Sequence, residues 1–309
     1  MEERKTSGFF RCLVYNGGVS LTLIQGGQMC ENGVRMQGFH GEKARYFCGA
    51  LLCTAFLGGL LKENGEVSAV IRTDGTLQNI TASASASLNV RACMDCRKEG
   101  ENGGEESGKA AKNFCGSGGS LQVVKSDSYS LRPSVGACAL KCGKNQSAEE
   151  FFEENFEEYF TVSEQIPTRF KLAIGDKIGG KSGDKAGENG EENGGEYLCA
   201  ALQSLPGAGK AWEEESKEKL SAFIKEYEKT KEAKLAAQKI FGRISCEESR
   251  ALQYKCNCSK EYLKGVLSSL GKNELESILE EQGAVKIHCR YCNKDYAFTR
   301  EDLKDVLSV

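Results

Sequence analysis

Two cysteine pairs near the C-terminus restrict this chain more than any other feature. Cys256 and Cys258 stand in KCNCS (255–259), Cys289 and Cys292 stand in HCRYC (288–292), and thirty residues separate the pairs. The signals around them describe a small unit, residues 256–309. Ser259 is placed to cap a helix with apolar positions Tyr262, Leu263, Val266, Leu267 and Leu270, which Gly271 stops. Asn273 is read as the cap of a second helix that buries Leu275, Ile278 and Leu279 and ends at Gly283. Val285 and Ile287 begin a strand that delivers Cys289, and Tyr296 and Phe298 belong to a strand that follows. Thr299 then caps a last helix with Leu303, Val306 and Leu307 facing inward.

At about fifty residues a hydrophobic core is marginal, and a metal commonly holds the fold. Cys289 and Cys292 have the spacing of a metal knuckle, and Cys256 and Cys258 can share the ion from a turn. We therefore expect Cys256, Cys258, Cys289 and Cys292 to hold one tetrahedral zinc, although spacing alone also admits other thiophilic metals. His288 adjoins Cys289, but four sulfurs already close the shell.

A closed sulfur shell has no position for water, which argues against a metalloenzyme. A zinc ribbon that binds nucleic acid finds little support in the charge: Lys and Arg total 41 against 44 Asp and Glu, a formal net charge of −3. A thiol-disulfide oxidoreductase using Cys289 and Cys292 lacks the strand, CxxC and helix order of such folds. Two histidines, His40 and His288, give a Cys-His hydrolase little material. A redox switch is the remaining class: oxidants attack thiolates, disulfide formation removes ligands, and metal-coupled folding energy on the order of 10–16 kcal/mol is lost.

The 309 residues suffice for about two domains, and 39% hydrophobic residues support a sizeable core. The fold class expected is α+β, with an N-terminal mixed-sheet domain (8–205), a charged helical linker (206–255) and the small α+β unit (256–309). SLTLIQ, VSAVIRTDG and LQNITASASASLNV read as strands and Ala50 to Leu61 as a buried helix. Phe151, Phe152, Phe156, Tyr159 and Phe160 recur at helical spacing and are expected to pack on the sheet. Residues 213–241 read as one helix whose stripe, Leu220, Phe223, Ile224 and Tyr227, needs something to pack against. Two segments rich in Gly, Glu, Lys and Asn, near 97–114 and 175–195, read as insertions in surface loops.

The N-terminus lacks the apolar core of a signal peptide, and the longest apolar run, Cys48 to Leu61, is too short to span a bilayer. We expect a cytoplasmic protein with no membrane or nucleic-acid partner. The fifteen cysteines are odd in number and are read as reduced thiols. Cys48, Cys53 and Cys199 sit in apolar runs and read as small core residues. Cys93 and Cys96, with Cys138 and Cys142, form a further set of close spacings without a compact unit around it.

KCNCS, HCRYCNKDYAF and TREDLKDVL resemble the C-terminal zinc module of the thirty-three-kilodalton, redox-regulated heat-shock chaperone family of bacteria. IRTDGTLQNI (71–80), YFTVSEQIPTRFKLAIG (159–175) and LQSLPGA (202–208) resemble that family's N-terminal domain, in the same order. The resemblance implies an ATP-independent holdase rather than an enzyme. It is inactive when reduced and zinc-bound, and is activated when oxidation forms disulfides Cys256–Cys258 and Cys289–Cys292, releases zinc and unfolds residues 206–255. It implies unfolded proteins as clients, a homodimer on oxidation and hand-over to an ATP-dependent foldase, and it gives Leu220, Phe223, Ile224 and Tyr227 a use as client surface. Eleven cysteines outside the zinc motif depart from the family pattern.

Overall fold

The computed structural model describes residues 7–62, 64–97, 114–126, 132–175 and 196–307. Most of each Gly- and Glu-rich insertion lies outside the described residues. The elements in chain order are β1 (Gly8–Val14), β2 (Val19–Gln25), α1 (Gly27–Gln37), α2 (Gly41–Gly59), β3 (Glu66–Thr73), β4 (Leu77–Ser85) and β5 (Asn89–Cys96). Next come β6 (Gly119–Ser126), β7 (Ser134–Ala139), α3 (Ala148–Tyr159), β8 (Thr168–Ile174) and β9 (Tyr197–Ser204). They are followed by α4 (Ala211–Thr230), α5 (Ala233–Phe241), β10 (Ser245–Ala251) and β11 (Gln253–Tyr254). The last elements are α6 (Lys260–Leu267), α7 (Lys272–Gln282), β12 (Val285–Cys289), β13 (Lys294–Phe298) and α8 (Lys304–Leu307). The chain divides into two compact units, Met1–Tyr254 and Lys255–Val309, and the architecture is α+β.

The first unit holds a five-stranded sheet, ordered β10-β1-β2-β9-β8, and a six-stranded sheet, ordered β11-β5-β4-β3-β6-β7. All pairings are antiparallel except that of β11 with β5. α2 is apolar around most of its circumference and is in contact with strands of both sheets, which such a helix requires to bury every face. It begins at Gly41, earlier than the sequence reading placed it, because the polar start GEKARYF still directs Ala44, Tyr46 and Phe47 into the core. The stretch LQNITASASASLNV is two strands, β4 and the start of β5. The chain reverses between them, with Leu88 in the left-handed region at φ 57°.

α3 opens on a capping box in which Ser147 and Glu150 each satisfy the other's backbone amide. Phe151, Phe152, Phe156, Tyr159 and Phe160 are all buried in the large core, as expected. On the other side of the five-stranded sheet, α4 and α5 pack on Phe10, Val14, Leu21, Leu23 and Leu202 to make a second core.

Two parts of the linker reading are corrected. Residues 213–241 form two helices, because the Thr230 hydroxyl donates to Glu226 O and accepts the Glu232 amide. This local bonding competes with the helix ladder, and Lys231 turns into the left-handed region at φ 56°. The stripe finds the partner it needs, since Leu220 and Phe223 are 0% exposed, Ile224 6% and Tyr227 7%, all within the second core. The last part of the linker is strand, not helix, since β10 and β11 join the two sheets.

In the second unit, Leu267, Leu275, Leu279, Val285, Phe298, Leu303 and Leu307 form the core, beside the β12-β13 hairpin. Ser259 caps α6 as expected, accepting the Tyr262 amide, and Gly283 closes α7 at φ 74°. Three expectations fail. α7 is preceded by Gly271 at φ 86°, so Asn273 lies inside it and does not cap it. Tyr262, Val266 and Leu270 are 60%, 47% and 53% exposed, because the short helix presents only Leu267 fully to the core. Thr299 and Asp302 bond reciprocally, but a turn follows them and the last helix starts only at Lys304.

Candidate metal centre

Cys256 and Cys258 lie in the irregular segment between β11 and α6, the non-strand position that a shared ion needs. The α6 cap at Ser259 fixes the chain immediately after them. Cys289 ends β12, and its carbonyl accepts the Asn293 amide at 2.8 Å across a tight turn with Asn293 at φ 56°. That turn swings Cys292 back over the hairpin, so the knuckle follows from a register that pairs Cys289 with Lys294.

The four sulfurs all lie within 4.8 Å of one another. The closest sulfur contacts run between the pairs: Cys256 to Cys289 at 3.6 Å and Cys258 to Cys292 at 3.1 Å. Cys292 is buried and the others are half-buried. Desolvation pushes the Cys256 thiol well above its usual range, and desolvation with hydrogen bonds to Cys258 and Cys289 raises Cys292 to about 11. At Cys258 desolvation is outweighed by hydrogen bonds from Tyr296 and the neighbouring thiols, which bring it down to about 7. This donor set fits a tetrahedral ion of a thiophilic metal, because every ligand is a soft sulfur and the four converge within 4.8 Å.

His288 is not part of the cluster. Its Nδ1 faces Asp295 Oδ1 at 2.7 Å on an exposed surface of the hairpin. Tyr296 adds a contact to the cluster that the sequence does not reveal: its hydroxyl lies 3.1 Å from Cys258 Sγ. Strand periodicity places Tyr296 opposite Ile287 but says nothing of where a long side chain ends.

Among the described residues, no other group of three or more metal-ligating side chains converges. Cys48, Cys53 and Cys199 are core residues, as read. Cys93 and Cys138 are buried, and Cys96 and Cys142 pack against the large core that includes Cys138. Cys138 donates to Asn155 O and Cys142 to Cys115 O, each at 3.9 Å. Burial raises the thiols of Cys138 and Cys115 to about 11 and about 12, which suppresses the reactive thiolate. Among the described residues, no helix is long and apolar enough to cross a membrane.

A family model described as Hsp33 protein matches residues 8–299, almost the whole chain. The chain belongs to the Hsp33 family. Chaperonins of 33 kDa from Bacillus cereus (strain AH187) and Bacillus anthracis (strain CDC 684 / NRRL 3495) are each 26% identical to it over 266 residues, covering 84% of this chain and 84% of the relative. The crystal structure of the 33 kDa chaperonin from Thermotoga maritima matches with a TM-score of 0.69 at 21% identity, covering 98% of both chains. That likeness establishes the Hsp33 fold for this chain. Membership of the Hsp33 family makes it a member of a chaperone family, and its four clustered C-terminal cysteines can bind a metal.

Proposed function

We propose that this chain is a cytoplasmic, ATP-independent holdase, not an enzyme. Its zinc-bound reduced form is inactive, and its oxidised form binds unfolded proteins and prevents their aggregation. The observation that supports this reading is the convergence of four thiols within 4.8 Å, in a unit whose own buried core is seven apolar side chains. Zinc bound by Cys256, Cys258, Cys289 and Cys292 would neutralise two of the four thiolate charges and cross-link segments far apart in sequence.

The chemistry of release belongs to the cysteines. One thiolate of a pair attacks the O–O bond of a peroxide, forming a sulfenic acid and expelling hydroxide. The second thiolate displaces hydroxide from that sulfur. The pair has lost two electrons and gained an S–S bond, and the two hydroxides take up protons to leave as water. Following the family, the pairs are Cys256 with Cys258 and Cys289 with Cys292. Sulfurs consumed in this way no longer ligate, and the metal-coupled folding energy, on the order of 10–16 kcal/mol, is lost to a unit with little else to hold it.

Residues 206–255 then form the metastable linker, and Leu220, Phe223, Ile224 and Tyr227 become client surface when α4 leaves the sheet. Beyond that stripe the buried apolar residues of α4 and α5 are only Trp212 and three alanines, Ala233, Ala236 and Ala237, and their partly exposed ion pairs, such as Arg169 with Glu213 and Lys239 with Glu226, at 2.8 Å each, contribute little. The oxidised chain would dimerise and pass its clients to an ATP-dependent foldase. The test is light scattering from a heat-unfolding client. Suppression by peroxide-treated chain alone, reversed by a thiol reductant, is the expected result; equal suppression by both forms removes the zinc site as the gate.

A further inference from the structure

β10 is an edge strand with almost nothing to bury. In its sequence, SCEESRA, only Glu248 and Arg250 are even partly buried. It pairs with β1 from Gly8↔Ala251 to Leu13↔Ser245, with an irregularity where Cys246 adopts φ 52°. Pairing of this kind rests on backbone hydrogen bonds that any extended segment can supply.

Arg250 distinguishes β10 from any other segment. Its Nη1 donates to Ala86 O and its Nη2 to Gly59 O, both at 2.9 Å. Its guanidinium carbon lies 4.3 Å from the centre of the Phe9 ring, and its Nε lies 2.9 Å from Glu248, which also pairs with Arg11. Gly59 ends α2, so its carbonyl is an orphan acceptor at a helix terminus, where a cation is favoured. Ala86 lies in the turn between β4 and β5. One side chain thus ties the edge of the five-stranded sheet to the central helix and to the six-stranded sheet. Residue 59 has to be glycine for this, since a Cβ there would collide with the Phe9 ring. Beyond β10 the chain is anchored separately by buried Leu252 and by Tyr254, whose hydroxyl donates to Ala92 O at 3.1 Å.

Without β10, β1 would present a row of unpaired amides and carbonyls, with the face of Phe9 uncovered. An open edge is a template for strand addition, and it selects for extended backbone rather than for sequence. Unfolded proteins share that property and no particular sequence. We propose that β10 is an autoinhibitory strand fastened by Arg250, and that the β1 edge beneath it captures an extended segment of an unfolded protein by strand pairing. This rests on the reading of the chain as a holdase whose 206–255 segment lets go.

Hydrogen exchange on the full chain tests it, with reduced, carboxymethylated α-lactalbumin as a permanently unfolded probe and light scattering run in parallel. In the reduced, zinc-loaded chain the amides of residues 8–14 are protected. Oxidation exposes those facing β10, and the probe protects them again. If they stay exposed while the oxidised chain suppresses aggregation, strand capture is wrong and the holdase reading stands. If the oxidised chain suppresses nothing, both are wrong. Arg250→Ala and Arg250→Lys, the second keeping the charge but not the fork, should each speed exchange of residues 245–251 in the reduced chain by about tenfold or more. Exchange within residues 255–307 should not change. An unaltered rate at 245–251 in the folded Lys variant overturns the role of Arg250.

Discussion

The Tyr296 hydroxyl lies 3.1 Å from Cys258 Sγ and donates to that residue's carbonyl oxygen at 3.4 Å, so β13 holds one candidate metal ligand from outside the ligand set. Groups that orient ligands in this way commonly contribute 10- to 100-fold in metal affinity. Tyr296→Phe should therefore weaken zinc binding by about 10- to 100-fold while leaving the hairpin folded. Competition with a chromophoric chelator measures this, and an unchanged affinity would make the contact incidental.

Removing the metal should unfold the second unit and spare the core around α2 and α3. Among the described residues the core cluster of the second unit holds seven apolar side chains, whereas the core around α2 and α3 is several times larger. With excess chelator, amides of 285–298 should exchange at the rates of an unfolded chain while those of 44–57 stay protected. Persistent protection of the β12-β13 hairpin would mean that the small core suffices alone.

Glu153 and Glu157 on α3 accept the amides of Leu172 and Phe170 at 2.8 and 2.9 Å, along β8 at the edge of its sheet. Burial raises both carboxyl pKa values above the ordinary 4.5, against the opposing pull of these amides and of Lys171, Lys217 and Arg169. A raised folded-state value means that the folded chain binds more protons than the unfolded one. Their contribution to stability is present below 4.5 and is lost as pH rises through the raised values. Glu153→Gln and Glu157→Gln keep an acceptor without the charge, so each should flatten the slope of Tm just above pH 4.5. An identical slope would contradict the assignment.

Phe223 is fully buried, packs edge-on against Phe241 at 6.0 Å and lies in the second core. Phe223→Ala should cost about 3–5 kcal/mol, felt first in the attachment of α4. The reduced, zinc-loaded variant should bind a hydrophobic dye that the parent excludes. Unchanged dye binding would mean that the helix stays seated and that the stripe is not latent client surface.

The small unit was the most legible part of the chain, because its signals are local: a Ser cap, a glycine stop and four cysteines whose spacing admits few uses. The linker was the least legible. SCEESRA has neither alternation nor a large apolar residue, so nothing in it announces a strand, and β10 exists because β1 offers an edge and Arg250 finds distant carbonyls. The break at Lys231 depends on one threonine hydroxyl, and a helical pattern runs through it unmarked. Tyr262, Val266 and Leu270 looked like core because periodicity reports which residues share a face, not whether anything covers it.

The most direct test follows metal and client in one reaction. Zinc release, read with a metal indicator, and light scattering from a heat-unfolding client would be recorded together after peroxide is added at elevated temperature. A redox-gated holdase requires scattering to fall as zinc appears, and requires a Cys289→Ser, Cys292→Ser chain with an emptied site to suppress aggregation without peroxide. Full zinc release with no change in scattering would contradict it.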